Sequence, residues 1–218
     1  MLKNFLRYIF FLFIVKPFIY LVLGVNVSGK ENLYKIIKTP SIIVANHNSH
    51  VDTLLLLCLF HCRQILKIHP VAAADYFCNT KFKSFIFKTL LGIIPISRKI
   101  KKVSEEELFK DINDVLRMGD SIIIYPEGTR GEDNKIKNFK SGVAHIAKMN
   151  PSVPVVPVYI NGPDRILPKG EFLWVPFIAD IYISEPVYYD GTPTKVFTEK
   201  IRNEIEKLKE EHKKREEL

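Results

Sequence analysis

Apolar residues along this 218-residue chain fall into runs of two distinct lengths. Five runs of five or six residues, most of them rich in Val and Ile, lie at 41–45, 67–72, 121–125, 155–160 and 180–184. Each is too short for an ordinary helix, and Pro, Gly, Asn or Asp bounds most of them, so each predicts a buried strand. Between them the spacing becomes helical. Leu108, Ile112, Val115 and Leu116 share one helix face, and Gly119-Asp120 supplies the stop. The stretch 194–218 aligns Phe197, Ile201, Ile205 and Leu208 in the same way, then turns almost wholly charged beyond Lys209, which predicts a solvated tail. Strands alternating with helices predict an α/β fold, a mostly parallel mixed sheet flanked by helices.

The longest apolar run opens the chain. Of the 21 residues from 5 to 25, 17 are apolar, the exceptions being Arg7, Lys16, Pro17 and Gly24. As one helix this run would be about 31 Å long, enough to span a bilayer. Lys16 would then sit near mid-membrane at a cost of roughly 3 kcal/mol, and Pro17 removes a backbone donor. Two short apolar helices, 8–15 and 18–25, meeting at Lys16-Pro17 and dipping into one leaflet avoid that cost, because Lys16 can snorkel to the headgroups. A single span and a cleaved signal peptide are the alternatives, and nothing after Leu23 reads as a small-x-small cleavage site. Residues 1–28 are thus expected to form a membrane-associating helical motif, and 29–218 an α/β domain without an internal repeat or low-complexity linker.

Charge adds a direction. The chain carries +8, but residues 1–102 hold 15 basic and 3 acidic residues while 103–218 hold 17 and 21. The first half therefore suits an anionic partner: nucleic acid, a lipid surface or a phosphorylated substrate. Within it, 81–102 has seven basic residues and no acid, interleaved with Phe82, Phe85, Phe87, Leu90 and Leu91. That is the composition of a basic amphipathic surface helix attracted to anionic lipid, and no nucleic-acid module is recognisable. Three cysteines fit a reducing compartment and exclude a disulfide scaffold. No metal site and no cofactor are expected. His47-x2-His50-x-Asp52 is off by one residue from the metal-hydrolase spacing, and Cys58, His61 and Cys62 lack a second pair.

The chemistry gathers after the first of these strands, in Asn46-His47-Asn48-Ser49-His50-Val51-Asp52. A strand that enters a helix through a polar turn delivers its side chains to the carboxyl edge of the sheet. His47 and Asp52 would point about 140° apart within one helix. They meet only if His47 is on the turn and Asp52 in the first helical turn, facing back; Asp52 then fixes the ring tautomer and leaves the other nitrogen as a base. The alternative is that both merely cap the helix. No G-x-S-x-G nucleophile appears, which suits direct deprotonation of a substrate hydroxyl. Arg98 ends the block 92–98. Tyr125-Pro126-Glu127-Gly128-Thr129-Arg130 follows the central strand, where Gly128 permits close backbone approach, Thr129 offers a hydroxyl and Arg130 a planar fork for phosphate. Lys140 and Gly142 lead into a helix whose N-terminus also favours an anion.

Four blocks in order, Asn46–Asp52, 92–98, Glu127–Arg130 and 156–158, resemble the glycerolipid acyltransferase family that includes the lysophosphatidic acid (1-acylglycerol-3-phosphate) acyltransferases. Gly131, where the family often has Ser, and His50, a second imidazole, are departures. The resemblance implies an O-acyltransferase moving a fatty acyl group from acyl-CoA or acyl carrier protein to the free hydroxyl of 1-acylglycerol-3-phosphate, giving phosphatidic acid. His47 would be the general base and Asp52 its orienting partner, with no covalent intermediate. Arg98, Glu127, Gly128, Thr129, Arg130 and Lys140 would position the phosphorylated acceptor. The implied partners are an anionic bilayer, a lysophospholipid and the thioester donor, not nucleic acid, at the cytoplasmic face of a membrane. The same chemistry on another lysolipid, or a non-enzymatic peripheral lipid-binding protein, are the alternatives.

Overall fold

Parallel strands buried on both faces read as unbroken apolar runs, and the sheet is built from such runs. The computed structural model describes residues 2–49, 51–74, 80–96, 104–129, 136–162 and 177–217. Among them the strands are β1 (Leu23–Ser28), β2 (Ile42–Ala45), β3 (Ile68–Ala73), β4 (Ile94–Ile96), β5 (Ser121–Ile124), β6 (Val155–Asn161) and β7 (Phe177–Ile183). They form one sheet in the order β1-β7-β6-β2-β5-β3-β4. Five neighbours, β6 to β4, run parallel, whereas β7 is antiparallel to β6 and carries β1 parallel to itself. The sheet is therefore mixed and mostly parallel, and the five parallel strands deliver their carboxyl ends to a single edge.

Alternating residues sort to opposite faces. Ile42 and Val44 of β2 join a cluster with Ile112 and Leu116 of α8 (Lys110–Arg117), Val143 and Ile146 of α9 (Gly142–Met149), and Phe197, Ile201 and Ile205 of α10 (Thr194–Glu216). Ile43 and Ala45 face the other way, onto Leu55 and Leu56 of α4 (Val51–Cys58) and onto the apolar N-terminal helices. The remaining described helices are α3 (Lys30–Lys38), α5 (Cys62–Ile65), α6 (Lys81–Ile86) and α7 (Glu105–Leu108).

Two expected segments end differently, and a third in part. The apolar run stops being helical at Val22, because Leu23 is buried at the start of β1, whose residues pair with β7 from Leu23↔Phe177 to Ser28↔Tyr182. In the basic stretch 81–102, residues 81–96 are α6, a π turn at Phe87–Leu91, left-handed Gly92 and then β4; residues 97–102 lie outside the described residues. The C-terminus stays helical to Glu216, and beyond Lys209 its described residues are exposed, as a solvated tail would be, except His212. His212 is buried against Tyr182, and Arg215 donates to Ser28 Oγ at 2.7 Å, because β1 and β7 extend the sheet under the last turns of α10.

The N-terminal helices α1 (Leu2–Phe10) and α2 (Lys16–Val22) join through a π turn, Phe11–Val15. Lys16 N–H reaches back five residues to the Phe11 carbonyl, a wider loop that accommodates the donor missing at Pro17. Arg7, Phe11, Val15, Ile19 and Leu23, four residues apart, form the buried face. Both cations in this run bond to the protein. Lys16 Nζ donates to the Phe60 carbonyl at 2.6 Å, beside Tyr20, whose hydroxyl donates to the Cys58 carbonyl at 2.9 Å. Arg7, only 3% exposed, donates from Nη2 to the Ile68 carbonyl at 2.7 Å. Burial draws Arg7 down to about 10, with Asp120 opposing, so it is still a cation at neutral pH. His69 stands close by, its ring nitrogens 3.1 Å from the Gly92 carbonyl and 3.2 Å from Asp120 Oδ2.

Gly92 has φ +68°, and a Cβ there would overlap the Arg7 guanidinium. Gly119 has φ +87° with nothing near its missing Cβ. Alanine at either position carries the left-handed cost of about 1–2 kcal/mol. Gly92→Ala alone must also displace Arg7, so its loss of stability in urea unfolding is expected to exceed that of Gly119→Ala by at least ~1 kcal/mol. Equal losses would mean that Arg7 is not packed on Gly92.

Candidate active site

β2 ends at Ala45, and its last side chains are pinned before any chemistry begins. Asn46, fully inside, donates from Nδ2 to the Ile160 carbonyl at 2.9 Å and accepts the Ile160 N–H at 2.8 Å. This two-way bond fixes the exit of β2 against β6. The chain then turns into α4, and Asp52 in the first turn of that helix faces back over the turn. Its Oδ2 accepts Asn48 N–H and Ser49 N–H, both at 2.8 Å, and lies 2.9 Å from His47 Nδ1. An oxygen already accepting two backbone N–H groups takes Nδ1 as a third donor, which puts the imidazole lone pair on Nε2. No hydrogen bond reaches that Nε2 among the described residues. Asp52 is 1% exposed, whereas the His47 side chain is 19% exposed, so the base reaches solvent from a buried support.

β5 brings the second loop to the same edge. Glu127 is 4% exposed, and its two oxygens accept backbone N–H groups from different segments: Oε1 from His47 at 2.9 Å and Oε2 from Lys137 at 3.2 Å. Burial raises its pKa above the usual carboxylate range, and those two N–H bonds oppose the shift. Gly128 has φ +71°, and a Cβ on it would stand 2.7 Å from Lys140 Nζ, so the lysine lies directly across the glycine. Lys140 N–H in turn bonds the Pro126 carbonyl at 2.9 Å. Thr129 is exposed. The structure thus gathers His47, Asp52, Glu127, Gly128, Thr129 and Lys140 at the carboxyl edge of β2 and β5. Arg98, Arg130, His50 and Gly131 lie outside the described residues.

Two participants are not legible as such in the sequence. Asn46 shows itself only as a polar residue at the end of an apolar strand; its bond to Ile160 depends on β6 lying beside β2. Tyr125 looks like the last residue of a strand, but its ring is stacked on that of His47, with centroids 4.2 Å apart and planes 21° apart. Chemically the arrangement is a base with a fixed tautomer, next to a turn that offers a lysine and a hydroxyl for an anionic group.

Residues 24–161 match the Acyltransferase family, and the chain belongs to that family. Its similarities within the family point one way. It is 28% identical to a chloroplastic 1-acyl-sn-glycerol-3-phosphate acyltransferase of Brassica napus over 83% of this chain and 49% of that protein. It is 26% identical to the 1-acyl-sn-glycerol-3-phosphate acyltransferase of Saccharomyces cerevisiae over 86% of this chain and 61% of that one. The chain spans about half the length of the curated relatives it matches. Its fold resembles the crystal structure of the 1-acyl-sn-glycerophosphate acyltransferase of Thermotoga maritima, with TM-score 0.72 and 26% identity, covering 91% of this chain and 78% of the other.

The Glu127 environment has a measurable consequence. A carboxyl whose folded pKa is raised binds its proton more tightly in the folded protein than in the unfolded chain. Its contribution to stability is therefore full below the ordinary Glu range and is lost as pH rises through the folded value. Glu127→Gln does not titrate. Subtracting the variant's urea-unfolding stability from the wild-type value should leave a difference that falls with rising pH just above the usual Glu range and then levels off. A difference that rises instead would mean that the backbone N–H bonds, not burial, control this carboxyl.

Proposed function

We propose that the protein transfers a fatty acyl group from an acyl thioester to the free hydroxyl of 1-acylglycerol-3-phosphate. The observation that carries this reading is the His47–Asp52 pair, 2.9 Å apart at the carboxyl edge of the sheet, on a histidine side chain that is 19% exposed. Nε2 takes the acceptor's hydroxyl proton as the oxygen bonds the thioester carbonyl carbon. Collapse of the tetrahedral adduct breaks the C–S bond, and the imidazolium returns the proton to the departing thiolate. The products are phosphatidic acid and the free thiol of coenzyme A or acyl carrier protein, without an acyl-enzyme. Asp52 holds the tautomer and favours the imidazolium that forms. Arg98, Thr129, Arg130 and Lys140 supply charge and donors to the acceptor phosphate, and Gly128 lets that group approach the backbone. Glu127 belongs to the same site in a different way. Its oxygens are occupied by the backbones of His47 and Lys137, so it positions the loops that meet the acceptor.

The N-terminal helices suit a protein that lies in the plane of one leaflet, at the cytoplasmic face. The segment Leu2–Leu21 is long and apolar enough to cross a bilayer. Its Arg7–Phe11–Val15–Ile19 face, however, is packed on the domain, and a span would have to strip that packing away. The opposite side exposes Phe13, Ile14 and Leu21, the last at 87%, which is a surface for acyl chains.

His47→Ala should lower kcat by about two to four decades, the usual worth of a general base. The assay is thiol release from acyl-CoA and from acyl carrier protein, with lysophosphatidic acid set against lysolipids bearing other headgroups. Near-normal turnover by the variant would overturn the assignment of the base. Turnover confined to another headgroup would move the acceptor while keeping the chemistry. In a separate flotation experiment with vesicles, replacing Phe13, Ile14 and Leu21 together by Ser should shift the protein from the lipid to the soluble fraction; undiminished flotation would place the membrane contact elsewhere.

A further inference from the structure

A base needs its lone pair aimed as well as its tautomer chosen. The Nε2 lone pair lies in the imidazole plane, so the tilt of that plane decides where the base points. The bond from Nδ1 to Asp52, together with the Cβ–Cγ attachment, sets the ring plane to within the tolerance of one hydrogen bond. The backbone bond from His47 N–H to Glu127 holds the main chain that carries the ring. The surface that narrows the remaining tilt is Tyr125.

The Tyr125 ring lies nearly parallel to the His47 ring, with centroids 4.2 Å apart and planes 21° apart. Tyr125 is itself held at both ends. Its backbone follows Ile124, the last residue of β5, and its hydroxyl shares a hydrogen bond of 3.0 Å with Thr53 Oγ1 in α4. Thr53 is the residue after Asp52, so the phenol bridges from β5 to the same helical turn that carries the carboxylate. Burial, and then the charge of Asp52, push the Tyr125 hydroxyl well above its ordinary value, so the stacked ring is the neutral phenol. Its π-face is also the side of an aromatic ring that attracts a cation, and His47 becomes one when it takes the substrate proton.

Resting on the assignment of His47 as general base, we infer that Tyr125 is a positioning residue: its stacked ring, anchored through Thr53, holds the imidazole plane in the orientation from which Nε2 removes the proton. Tyr125 touches the base and not the reacting atoms. Its loss should therefore appear in kcat rather than in affinity for the acceptor. A misplacement of about 1 Å at a reacting group is worth about 100-fold in rate.

The experiment compares Tyr125→Leu, Tyr125→Phe, Thr53→Val and His47→Ala in detergent-solubilised full-length protein, with lysophosphatidic acid and the preferred thioester. Tyr125→Leu should lower kcat by about tenfold to 100-fold while the acceptor KM stays within about twofold. Tyr125→Phe keeps the stacked ring and should recover kcat to within about threefold of wild type. Thr53→Val, which removes the same Tyr125–Thr53 hydrogen bond from its other end, should match the Phe variant to within about threefold. A Leu variant with near wild-type kcat overturns the inference, as does a loss that Phe does not restore or one that falls on KM. If Tyr125→Leu does not fold, the wild-type protein decides by NMR. The His47 carbon-bound ring protons, identified by their disappearance in His47→Ala, should be shifted upfield by the Tyr125 ring, and ordinary histidine shifts would overturn the stacked arrangement. His47→Ala separates the two levels of argument: its full activity would remove the base assignment itself, whereas an inactive His47→Ala beside a fully active Tyr125→Leu would remove only the role of Tyr125.

Discussion

One carboxylate oxygen, Oδ2 of Asp52, organises the whole carboxyl edge of the sheet. It accepts N–H groups from Asn48 and Ser49 and faces Nδ1 of His47. The companion oxygen, Oδ1, is buried without a hydrogen-bond partner among the described residues. The carboxylate therefore depends on those donors to offset its removal from water. Capping the turn and orienting the histidine looked like rival explanations of the His-x4-Asp spacing. They are one device: the atom that stabilises the β2–α4 turn also selects the tautomer of the ring above it. Any change that relaxes the turn must also release the His47 ring.

The support continues outward in two more layers. Glu127 ties the His47 backbone to Lys137, joining the loop after β2 to the segment that leads into α9. Asn46 ties the end of β2 to β6. Each bond is to a backbone group, so each fixes where the chain goes rather than which side chain it bears. The opposite edge of the sheet has its own fastening. Arg7, bonded to the carbonyl of Ile68 at the start of β3 and lying over Gly92 just before β4, locks the apolar N-terminal helices to the amino ends of the strands. His69 and Asp120 complete that cluster. The site and the membrane-seeking segment are thus anchored at opposite edges of one rigid sheet.

Much of this was legible in the sequence, for a physical reason. β2, β3, β5 and β6 were visible because strands buried on both faces must be largely apolar, and β7 from its shorter run at 180–184 although Ile178 on it is 54% exposed. β1 was not, because Leu23 and Val25 continue the apolar run of the preceding helix and carry no boundary signal. β4 is three residues long with Pro95 at its centre, too little to register as a strand. The charged end of α10 reads as solvent-facing and is exposed except at His212, whose burial against Tyr182 no apolar position announces. At the site, the spacing allowed His47 to meet Asp52 only across a turn, and it took the other blocks to favour that arrangement over a simple helix cap. Glu127 is different. The family resemblance implied that it positions the acceptor, but its burial between two backbones depends on a segment ten residues away. The stacking of Tyr125 depends on β5 lying next to β2, a neighbour relation that no pattern within either strand encodes.

The same reasoning changes what the basic half of the chain does. Arg7 and Lys16 look in the sequence like charges awaiting headgroups, yet each is bonded to a main-chain carbonyl, of Ile68 and Phe60. They offset the cost of placing polar groups under an apolar helix, and their charges stay fixed against the protein rather than reaching out to headgroups. Exposed cations such as Lys3, Arg63, Lys67 and Lys88 remain available for that. On the proposed in-plane placement, adhesion to lipid and selection of lipid charge rest on different residues. Phe13, Ile14 and Leu21 supply apolar area whose contribution is insensitive to salt, whereas the lysines and arginines act through a potential that falls off within about 10 Å at ordinary ionic strength. On this division, high salt weakens the preference for anionic vesicles without detaching the protein from neutral ones, because the helices that hold it are fixed to the fold by bonds the salt does not reach.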